Sequence, residues 1–397
     1  MNHIAFDLPV SKSLANRYLI LQWLANGELP SFDKNWPDDV QIMHQCLMQD
    51  SPFINVGDAG TVMRFLTAAF AADKRRNHIL NGSHRMHERP IKVLVDSLRE
   101  LDADVEYQGK EGFPPIKVKG KNLVSKHLII DGSISSQYIS ALMMIAPTIE
   151  NGLSIQAKST WSSEPYLHMT LNLLKQFGAM AEMDSQVIRI ENADLLPQPF
   201  EIESDWSSAS YAYAIALLKP ETALRLKGLK PQSHQGDSLI AEWYQQFFGI
   251  ETLWNDTGCD IQKTKPNHFQ TIKLNFEHQP DLAQTVAFSI AAQRGKGEFS
   301  GLKSLRIKET DRIAALENEL AALGVKVLVS QDELHLDATE AHFNPSKPLR
   351  TYGDHRMVMS MAPLLLINPH LEIENKALVS KSFPDFWANF QKVMNNN

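Results

Sequence analysis

Four stretches of the chain share one pattern of apolar and polar positions. In each, an amphipathic helical pattern ends, a Gly or Asp follows, and a short strand-like run passes through a polar turn into a second run. The stretches are 98–118, 171–190, 242–262 and 316–336. Their helix-end markers are Asp102, Gly178, Gly249 and Gly324, spaced 76, 71 and 75 residues apart. This period predicts several copies of a small α+β unit in globular domains, because each copy is too long for a solenoid repeat.

The first part of the chain departs from this pattern. A helical pattern follows Lys12, Asp38 and Asp39 open a second helical segment, and the loop 57–60 comes soon after, which leaves little room for a hairpin. We therefore expect the first unit to be truncated. No Gly/Ser-rich or Pro-rich linker marks a domain boundary, so the boundaries depend on topology.

Length and composition limit the number of domains, the cellular compartment and the kind of partner that we expect. The 397 residues are enough for two or more domains. We expect a soluble, unexported protein, because the chain shows neither a signal-peptide pattern nor an apolar run of membrane-spanning length. Cys46 and Cys259 form no disulfide framework or metal-ligand spacing, which fits a reducing cytoplasm. The net charge of −7 argues against nucleic acid or an anionic membrane as main partner, but leaves room for a local cationic pocket.

The densest charged segment runs from Arg306 to Arg312 and places five ionisable side chains in seven residues. It precedes a helical apolar pattern that Thr310 or Asp311 can cap, and anions are favoured at such a helix start. The alternative is a solvated charged turn.

Many other helix starts carry Ser, Lys or Arg beside a tight turn. They begin at Ser11, Gly57, Arg85, Ser135 and Ser163. Each has a structural alternative, namely an ordinary N-cap or, for Arg85, a surface ion pair with Glu88. The Lys12 segment is not a nucleotide-binding P-loop, because the upstream glycines are missing.

In the later half, Asp281 stands before a helical pattern and can act either as a cap or in catalysis. Asp354, His355 and Arg356 open another helix, and Lys381 precedes the last one. Together these helix starts predict a protein that surrounds a multiply charged anion, such as a phosphate with a carboxylate.

With these segments in chain order, the sequence resembles the 5-enolpyruvylshikimate-3-phosphate synthase family. The matching segments are 11–13, 60–64, 85–91, 135–137, 163–166, 205–211, 235–237, 280–281, 306–312, 354–357 and 381–385. They cover nearly the whole chain. No single motif is decisive, but so many in one order are specific.

The resemblance implies an α+β (α/β) fold of two similar domains. Each is built from repeated βαβαββ-type units, with the first unit truncated and the active site in the interdomain cleft. The implied N-terminal lobe is 12–203, on the shikimate 3-phosphate side, and the implied C-terminal lobe is 1–11 with 204–397, which completes the phosphoenolpyruvate site.

The resemblance also implies two sets of binding residues. The phosphoenolpyruvate set is Lys12, Gly60, Arg85, Gln137, Arg312, Arg356 and Lys381. The shikimate 3-phosphate set is Lys12, Ser13, Arg17, Ser135, Ser136, Gln137, Ser163, Tyr166, Asp281 and Lys308.

The implied reaction transfers an enolpyruvyl group by addition and elimination. It needs groups that pass protons in both directions, for which Asp281, Glu309 and Lys381 are the candidates. The resemblance implies no metal and no cofactor, and it implies a cytoplasmic monomer with no nucleic-acid or membrane partner.

Two other interpretations of the function remain open. The sister enolpyruvyl transferases, which act on a UDP-amino sugar, typically have Lys-Asn where Lys12 and Ser13 stand, and they carry a mobile loop with a reactive Cys. A non-catalytic anion-binding protein is a reading of a different class, although it gives no reason for Asp281, Glu309 and Lys381 to be present together.

Overall fold

The protein is described by a computed structural model that covers residues 2–132, 135–266 and 271–396. The chain forms two compact units. The N-terminal unit comprises Lys12–Lys34 and Asp38–Ile202, and the C-terminal unit comprises Met1–Ser11, Asn35–Pro37 and Glu203–Asn397.

The strands of the described residues are short. In chain order they are β1 (Asn2–Ala5), β2 (Phe53–Asn55), β3 (Asn77–Asn81), β4 (Asp104–Tyr107), β5 (Ile116–Lys119), β6 (His127–Ile130), β7 (Leu153–Ala157), β8 (Ala181–Met183), β9 (Val187–Ile190), β10 (Thr222–Lys227), β11 (Ile250–Asn255), β12 (Gly258–Lys263), β13 (Ile272–Asn275), β14 (Lys296–Ser300), β15 (Lys326–Val329) and β16 (Leu334–Asp337).

The α-helices of the same residues vary in length. They are α1 (Lys12–Leu24), α2 (Asp38–Met48), α3 (Gly60–Ala72), α4 (Lys92–Glu100), α5 (Ser136–Ile145), α6 (Glu164–Gln176), α7 (Trp206–Leu218), α8 (Ile240–Phe248), α9 (Ala283–Ala292), α10 (Arg312–Ala322), α11 (His355–Met361) and α12 (Phe386–Met394).

Four sheets repeat one topology. The N-terminal unit has the orders β2-β3-β5-β4 and β6-β7-β9-β8, and the C-terminal unit has β1-β10-β12-β11 and β13-β14-β16-β15. In each sheet the first pair is parallel and the other two are antiparallel. In three of the sheets a helix crosses between the parallel strands, whereas the whole N-terminal unit and α7 lie between β1 and β10 in sequence. In every sheet a hairpin supplies the last two strands. The predicted α+β class with repeated units is confirmed.

The four helix-end markers share a left-handed backbone conformation. Their φ angles are 68° at Asp102, 90° at Gly178, 68° at Gly249 and 77° at Gly324. A residue in this conformation ends a helix and turns the chain out of it. In all four places the hairpin follows directly, so the predicted pattern of helix, marker and two strands is confirmed.

The two helices that accompany each four-stranded sheet have different roles. The first helix, such as α7, is buried along nearly its whole length, whereas the second, such as α8, buries only one side, through Ile240, Trp243, Tyr244 and Phe248. A helix that is apolar all round belongs in a core, and an amphipathic one covers it.

Two segments lack a sheet. Among the described residues, no strand lies between α1 and α2, so the predicted truncation of the first unit is confirmed. The last segment, with α11 and α12, has only one isolated parallel bridge, between Leu349 and Ile373. The sequence reasoning did not anticipate this second reduction.

Three buried helices of the C-terminal unit contact one another close to their starts. The hydroxyl groups of Ser210 in α7 and Thr285 in α9 lie 3.2 Å apart, and Thr285 lies 3.2 Å from Ser360 in α11. Each of these residues stands a little more than one turn after the start of its helical segment. The starts of α9 and α11 also meet directly, because Arg356 pairs with Asp281 at 2.8 Å.

Candidate active site

The helix starts of the C-terminal unit are capped by acidic side chains. Asp205 accepts a hydrogen bond from the Ser208 backbone at 2.7 Å, and Asp354 accepts one from the Arg356 backbone at 2.8 Å. Asp281 lies in the short turn of helix Pro280–Leu282 that leads into α9. Gathered helix starts favour negative charge, so they provide a frame for anions and carboxylates.

Asp281 lies among three cations. Its carboxylate is 2.8 Å from Arg312, 2.8 Å from Arg356 and 3.7 Å from the Lys308 ammonium group. Burial alone would raise the pKa of Asp281, but Arg356, Lys308 and Arg312 outweigh it and hold that pKa well below its usual range. Asp281 is therefore an ionised carboxylate that holds several cations in place.

Glu309 and Lys381 belong to the same cluster. Glu309 lies 2.9 Å from Arg312 and 3.3 Å from the Lys381 ammonium group. Arg312, which is only 1% exposed, also contacts Asp354 at 2.6 Å. Burial lowers the pKa of Arg312, but Asp354, Glu309 and Asp281 reverse the effect and raise it. The structure thus brings the three predicted catalytic residues together around Arg312.

Three further residues of this cluster escaped the predicted site set. Asp354 was noticed only as part of a helix start, although its carboxylate pairs with Arg312. The Tyr211 hydroxyl accepts a hydrogen bond from Arg356 at 3.3 Å, and burial raises the pKa of Tyr211 to about 12. Asp237 lies buried in the short helix Gly236–Leu239. Tyr211 and Asp237 lie in the matching segments 205–211 and 235–237, but neither of them was assigned a role from the sequence.

In the N-terminal unit, Lys12 forms an ion pair at 3.1 Å with Asp39, in the first turn of α2. The start of α1 is therefore joined to the start of α2. Helices α1 and α2 contact each other, and no described strand lies between them in sequence.

Arg17 is buried among neutral acceptors. Its guanidinium group donates to the hydroxyls of Thr170 at 2.7 Å and Ser140 at 3.0 Å, and to the backbone oxygens of Ser13 and Tyr166 at 2.9 and 3.4 Å. Burial lowers the pKa of Arg17 to about 10. Three residues of the predicted shikimate 3-phosphate set, namely Ser13, Arg17 and Tyr166, therefore meet here.

Gly60, at the start of α3, lies against two arginines. Arg64 donates to the Gly60 backbone oxygen at 2.9 Å, and a Cβ atom at residue 60 would stand 2.6 Å from an Arg64 nitrogen and also contact Arg89. Both arginines are buried, and neither was in the predicted set. Gln137, at the start of α5, donates to the Thr61 hydroxyl at 3.0 Å, which joins the starts of α5 and α3.

The remaining predicted residues occupy turns and helix starts. Ser135 caps α5 by accepting a hydrogen bond from the Gln137 backbone at 3.4 Å, and the buried Ser136 follows it. Ser163 precedes α6 with a positive φ of 53°. Arg85 contacts Glu88 at 2.7 Å with nearly half of its side chain exposed, which is the surface ion pair that the sequence left open.

The described residues contain neither a metal-binding cluster nor a membrane-spanning helix. No group of three or more His, Cys, Asp or Glu side chains in 2–132, 135–266 and 271–396 could hold a metal ion. In the same residues, no helix combines the length and the apolar character needed to cross a membrane.

Comparison with known proteins gives a consistent result. The chain matches the sequence model of the EPSP synthase (3-phosphoshikimate 1-carboxyvinyltransferase) family over residues 5–390. A 3-phosphoshikimate 1-carboxyvinyltransferase of Bacteroides fragilis is 40% identical over 389 residues, covering 98% of this chain and 94% of that protein. One of Histophilus somni is 31% identical over 421 residues, covering 98% and 96%.

A solved structure of an EPSP synthase from Acinetobacter baumannii has the same fold. It superposes with a TM-score of 0.78 at 18% identity, covering 98% of this chain and 95% of that one. The two relatives have the same name, and the solved structure has the same fold as this chain. This chain belongs to the EPSP synthase family.

Proposed function

We propose that the protein transfers the enolpyruvyl group of phosphoenolpyruvate to the 5-hydroxyl group of shikimate 3-phosphate and releases phosphate. The observation that carries the proposal is the cluster in which Asp281 and Glu309 pair with Arg312, and Lys381 pairs with Glu309. It combines carboxylates that can exchange protons with cations that can bind two anionic substrates.

The proposed binding residues come from both units. The phosphoenolpyruvate set takes Lys12, Gly60, Arg85 and Gln137 from the N-terminal unit, and Arg312, Arg356 and Lys381 from the C-terminal unit. The shikimate 3-phosphate set takes Lys12, Ser13, Arg17, Ser135, Ser136, Gln137, Ser163 and Tyr166 from the first, and Asp281 and Lys308 from the second.

Arg17 suits a phosphate group particularly well. Its hydrogen-bond acceptors are neutral hydroxyl and backbone oxygens, so no carboxylate among them balances its charge. An anion bound nearby would supply the missing counter-charge.

The chemistry has two steps. In the addition step, the 5-hydroxyl oxygen bonds to C2 of phosphoenolpyruvate, the hydroxyl loses its proton, and C3 gains one. In the elimination step, C3 loses a proton and the bond between C2 and the phosphate oxygen breaks. Because this is a carbon–oxygen bond, neither step requires a metal to polarise phosphorus.

Asp281, Glu309 and Lys381 are the proposed proton-transfer groups. In the structure, cations hold the pKa of Asp281 low, which makes it a weak base. When anionic substrates bind to Arg312, Arg356 and Lys308, these cations stabilise the Asp281 carboxylate less. The pKa of Asp281 then rises, and Asp281 becomes a better base. Substrate binding therefore prepares the site for proton transfer.

The proposal extends to the setting of the enzyme, which we expect to be a monomer in the cytoplasm with no nucleic-acid or membrane partner. The net charge of −7 gives no general attraction to polyanions, and both cysteines are free thiols, as in a reducing compartment. Light scattering of the purified protein should report a mass near the 44.8 kDa of one chain, and a mass of two chains would contradict the monomer.

Phosphate release from shikimate 3-phosphate and phosphoenolpyruvate tests the activity. Release should require both substrates, and Asp281→Ala and Glu309→Gln should each lower kcat by about 100-fold or more. Glu333→Gln, an exposed glutamate of the same unit, is the matched control and should leave the rate unchanged.

Two results would contradict the proposal. Thermal stabilisation by shikimate 3-phosphate without phosphate release would indicate a non-catalytic binding protein. Phosphate release with a UDP-amino sugar in place of shikimate 3-phosphate would indicate the sister transferase.

A further inference from the structure

Asp237 is a buried acid for which the reaction scheme gives no role. It is 4% exposed, and its Oδ2 atom accepts a hydrogen bond from the Ser207 hydroxyl. Its other oxygen, Oδ1, is buried and has no hydrogen-bond partner among the described residues. A buried carboxylate with an unsatisfied oxygen is energetically costly unless it is protonated.

Helix α7 connects Asp237 to the candidate active site. Ser207 and Tyr211 stand four residues apart in this helix, so they share one face, one turn from each other. Ser207 contacts Asp237, while the Tyr211 hydroxyl contacts Arg356, which also pairs with Asp281. Asp237 and Arg356 therefore contact neighbouring positions on one face of α7.

The charged groups around Asp237 oppose one another. Burial raises the pKa of Asp237 to about 7, and the negative charges of Asp281 and Asp205 act in the same direction, whereas Ser207 and Arg356 lower it. The loop that carries Asp237 is fixed to α7 by Gln235, which accepts a hydrogen bond from the Trp206 backbone at 3.1 Å and donates one to the Ser204 backbone at 2.8 Å. The position of the acid is therefore fixed while its charge can change near neutral pH.

We propose that Asp237 is a positioning residue whose charge, set through Ser207, decides how much of the positive charge of Arg356 is available to the anionic substrate. The inference rests on the proposed function, in which Arg356 binds phosphoenolpyruvate. When Asp237 is protonated and neutral, it does not compete with the substrate for the positive charge of Arg356. When it is ionised, Asp237 competes for that charge and adds a negative charge near the ligand.

The test compares Asp237→Asn with the wild type at several pH values. Because the substrates titrate too, the quantity to follow is the ratio of the KM for phosphoenolpyruvate in the variant to that in the wild type. This ratio should fall by roughly fivefold between about pH 6 and pH 8, since only the wild type gains the charge. Asp256→Asn, in the exposed turn between β11 and β12, is the matched control and should give a constant ratio.

Ser207→Ala provides a second variant. It removes the donor that stabilises the ionised Asp237, so the rise in KM should move to higher pH than in the wild type. A purely structural role would instead lower kcat or stability equally at every pH. A KM ratio for Asp237→Asn that does not change with pH would overturn the proposal.

Infrared spectroscopy keeps the proposal testable without turnover. The wild type should show the carbonyl band of a protonated carboxyl group at about pH 6 that disappears by about pH 8.5, and Asp237→Asn should lack it. If the Asn variant does not fold, a shift of this titration in Ser207→Ala supports the proposal, and the absence of a titrating band in the wild type overturns it. If the wild type releases no phosphate at any pH, the proposed function fails separately, and thermal stabilisation by inorganic phosphate replaces KM in the same comparison.

Discussion

At the scale of single residues, two buried arginines show opposite ways to hold a positive charge. Arg312 contacts the carboxylates of Asp281, Glu309 and Asp354, and these raise its pKa. Arg17 has neutral acceptors, and its pKa falls to about 10. The first arrangement balances the charge with internal ion pairs, whereas the hydrogen-bond acceptors of the second include no carboxylate.

Phe65 should support Arg17. Its fully buried ring lies 5.2 Å from the Arg17 guanidinium carbon, which permits a cation–π interaction. Phe65→Leu removes this interaction and leaves a small cavity, so we expect the free energy of unfolding to fall by about 1–3 kcal/mol. Urea denaturation measures the change. Phe53→Leu, at a site that is 65% exposed, is the control, and an equal effect at both positions would argue against a special role for the Phe65 ring.

The two thiols should be unreactive in the folded protein. Burial raises the pKa of Cys46 and of Cys259 to about 12, so the nucleophilic thiolate is scarce at neutral pH. An aromatic disulfide reagent should label neither residue quickly in buffer and both in urea. Rapid labelling of one thiol in the native protein would mean that it is accessible, as in the sister transferases with a reactive Cys.

At the scale of secondary-structure elements, the four helix ends share a conformation but differ in the space around them. Asp102 adopts it with a side chain, and the other three positions are glycines. A Cβ atom at Gly249 would contact the Lys265 backbone oxygen, whereas at Gly178 the nearest atom is Leu196 Cδ1 at 3.4 Å. Glycine at 249 is therefore required by the nearby Lys265 backbone as well as by its φ angle, whereas at 178 it is required only by the φ angle.

Alanine substitutions at these two glycines should separate the two costs. Both variants pay about 1 kcal/mol for the left-handed conformation. Gly249→Ala must also displace the backbone at Lys265, so we expect a total loss of about 2–4 kcal/mol, against about 1 kcal/mol for Gly178→Ala. Urea denaturation of both variants gives the comparison, and equal losses would show that the chain at Lys265 yields easily.

At the scale of the whole molecule, the balance of charge changes with pH in two opposite ways. The folded pKa of Asp281 lies below its unfolded value of 3.8, so its stabilisation is present above about pH 4 and is lost as pH falls through the folded pKa. The folded pKa of Asp237, about 7, lies above its unfolded value, so stability is lost as pH rises from about 4 to about 7.

Asp281→Asn should therefore have a pH-dependent effect on stability. Near pH 7 it leaves buried cations without their carboxylate, and we expect a loss of about 3–5 kcal/mol. The difference from the wild type should shrink as pH falls below about 4, because the unfolded wild type then takes up a proton that the folded carboxylate binds only at lower pH. Thermal unfolding across this range is the measurement, with Asp256→Asn as control. A difference that stays constant down to low pH would mean that the carboxylate charge is not what stabilises the cluster.

Much of the fold follows from local patterns. The helix, marker and hairpin order appeared in all four predicted stretches, because helical periodicity and left-handed helix ends are properties of neighbouring residues. The pairing of β1 with β10 was not visible, since no local signal links strands about 220 residues apart. The reduced sheet of the last segment was missed for the same reason, because a strand needs partners that the local pattern does not name.

The candidate site divides in the same way. By itself, the sequence determined where helices start, where they end and which starts carry charge, because capping and periodicity act over a few residues. Only the tertiary structure decided that Arg312 pairs with Asp354 across 42 positions, and that Arg17 meets Thr170 across 153. The pKa values of Asp281 and Asp237 belong to that second class as well, because burial and the approach of distant charges set them, and both arise only when the chain is folded.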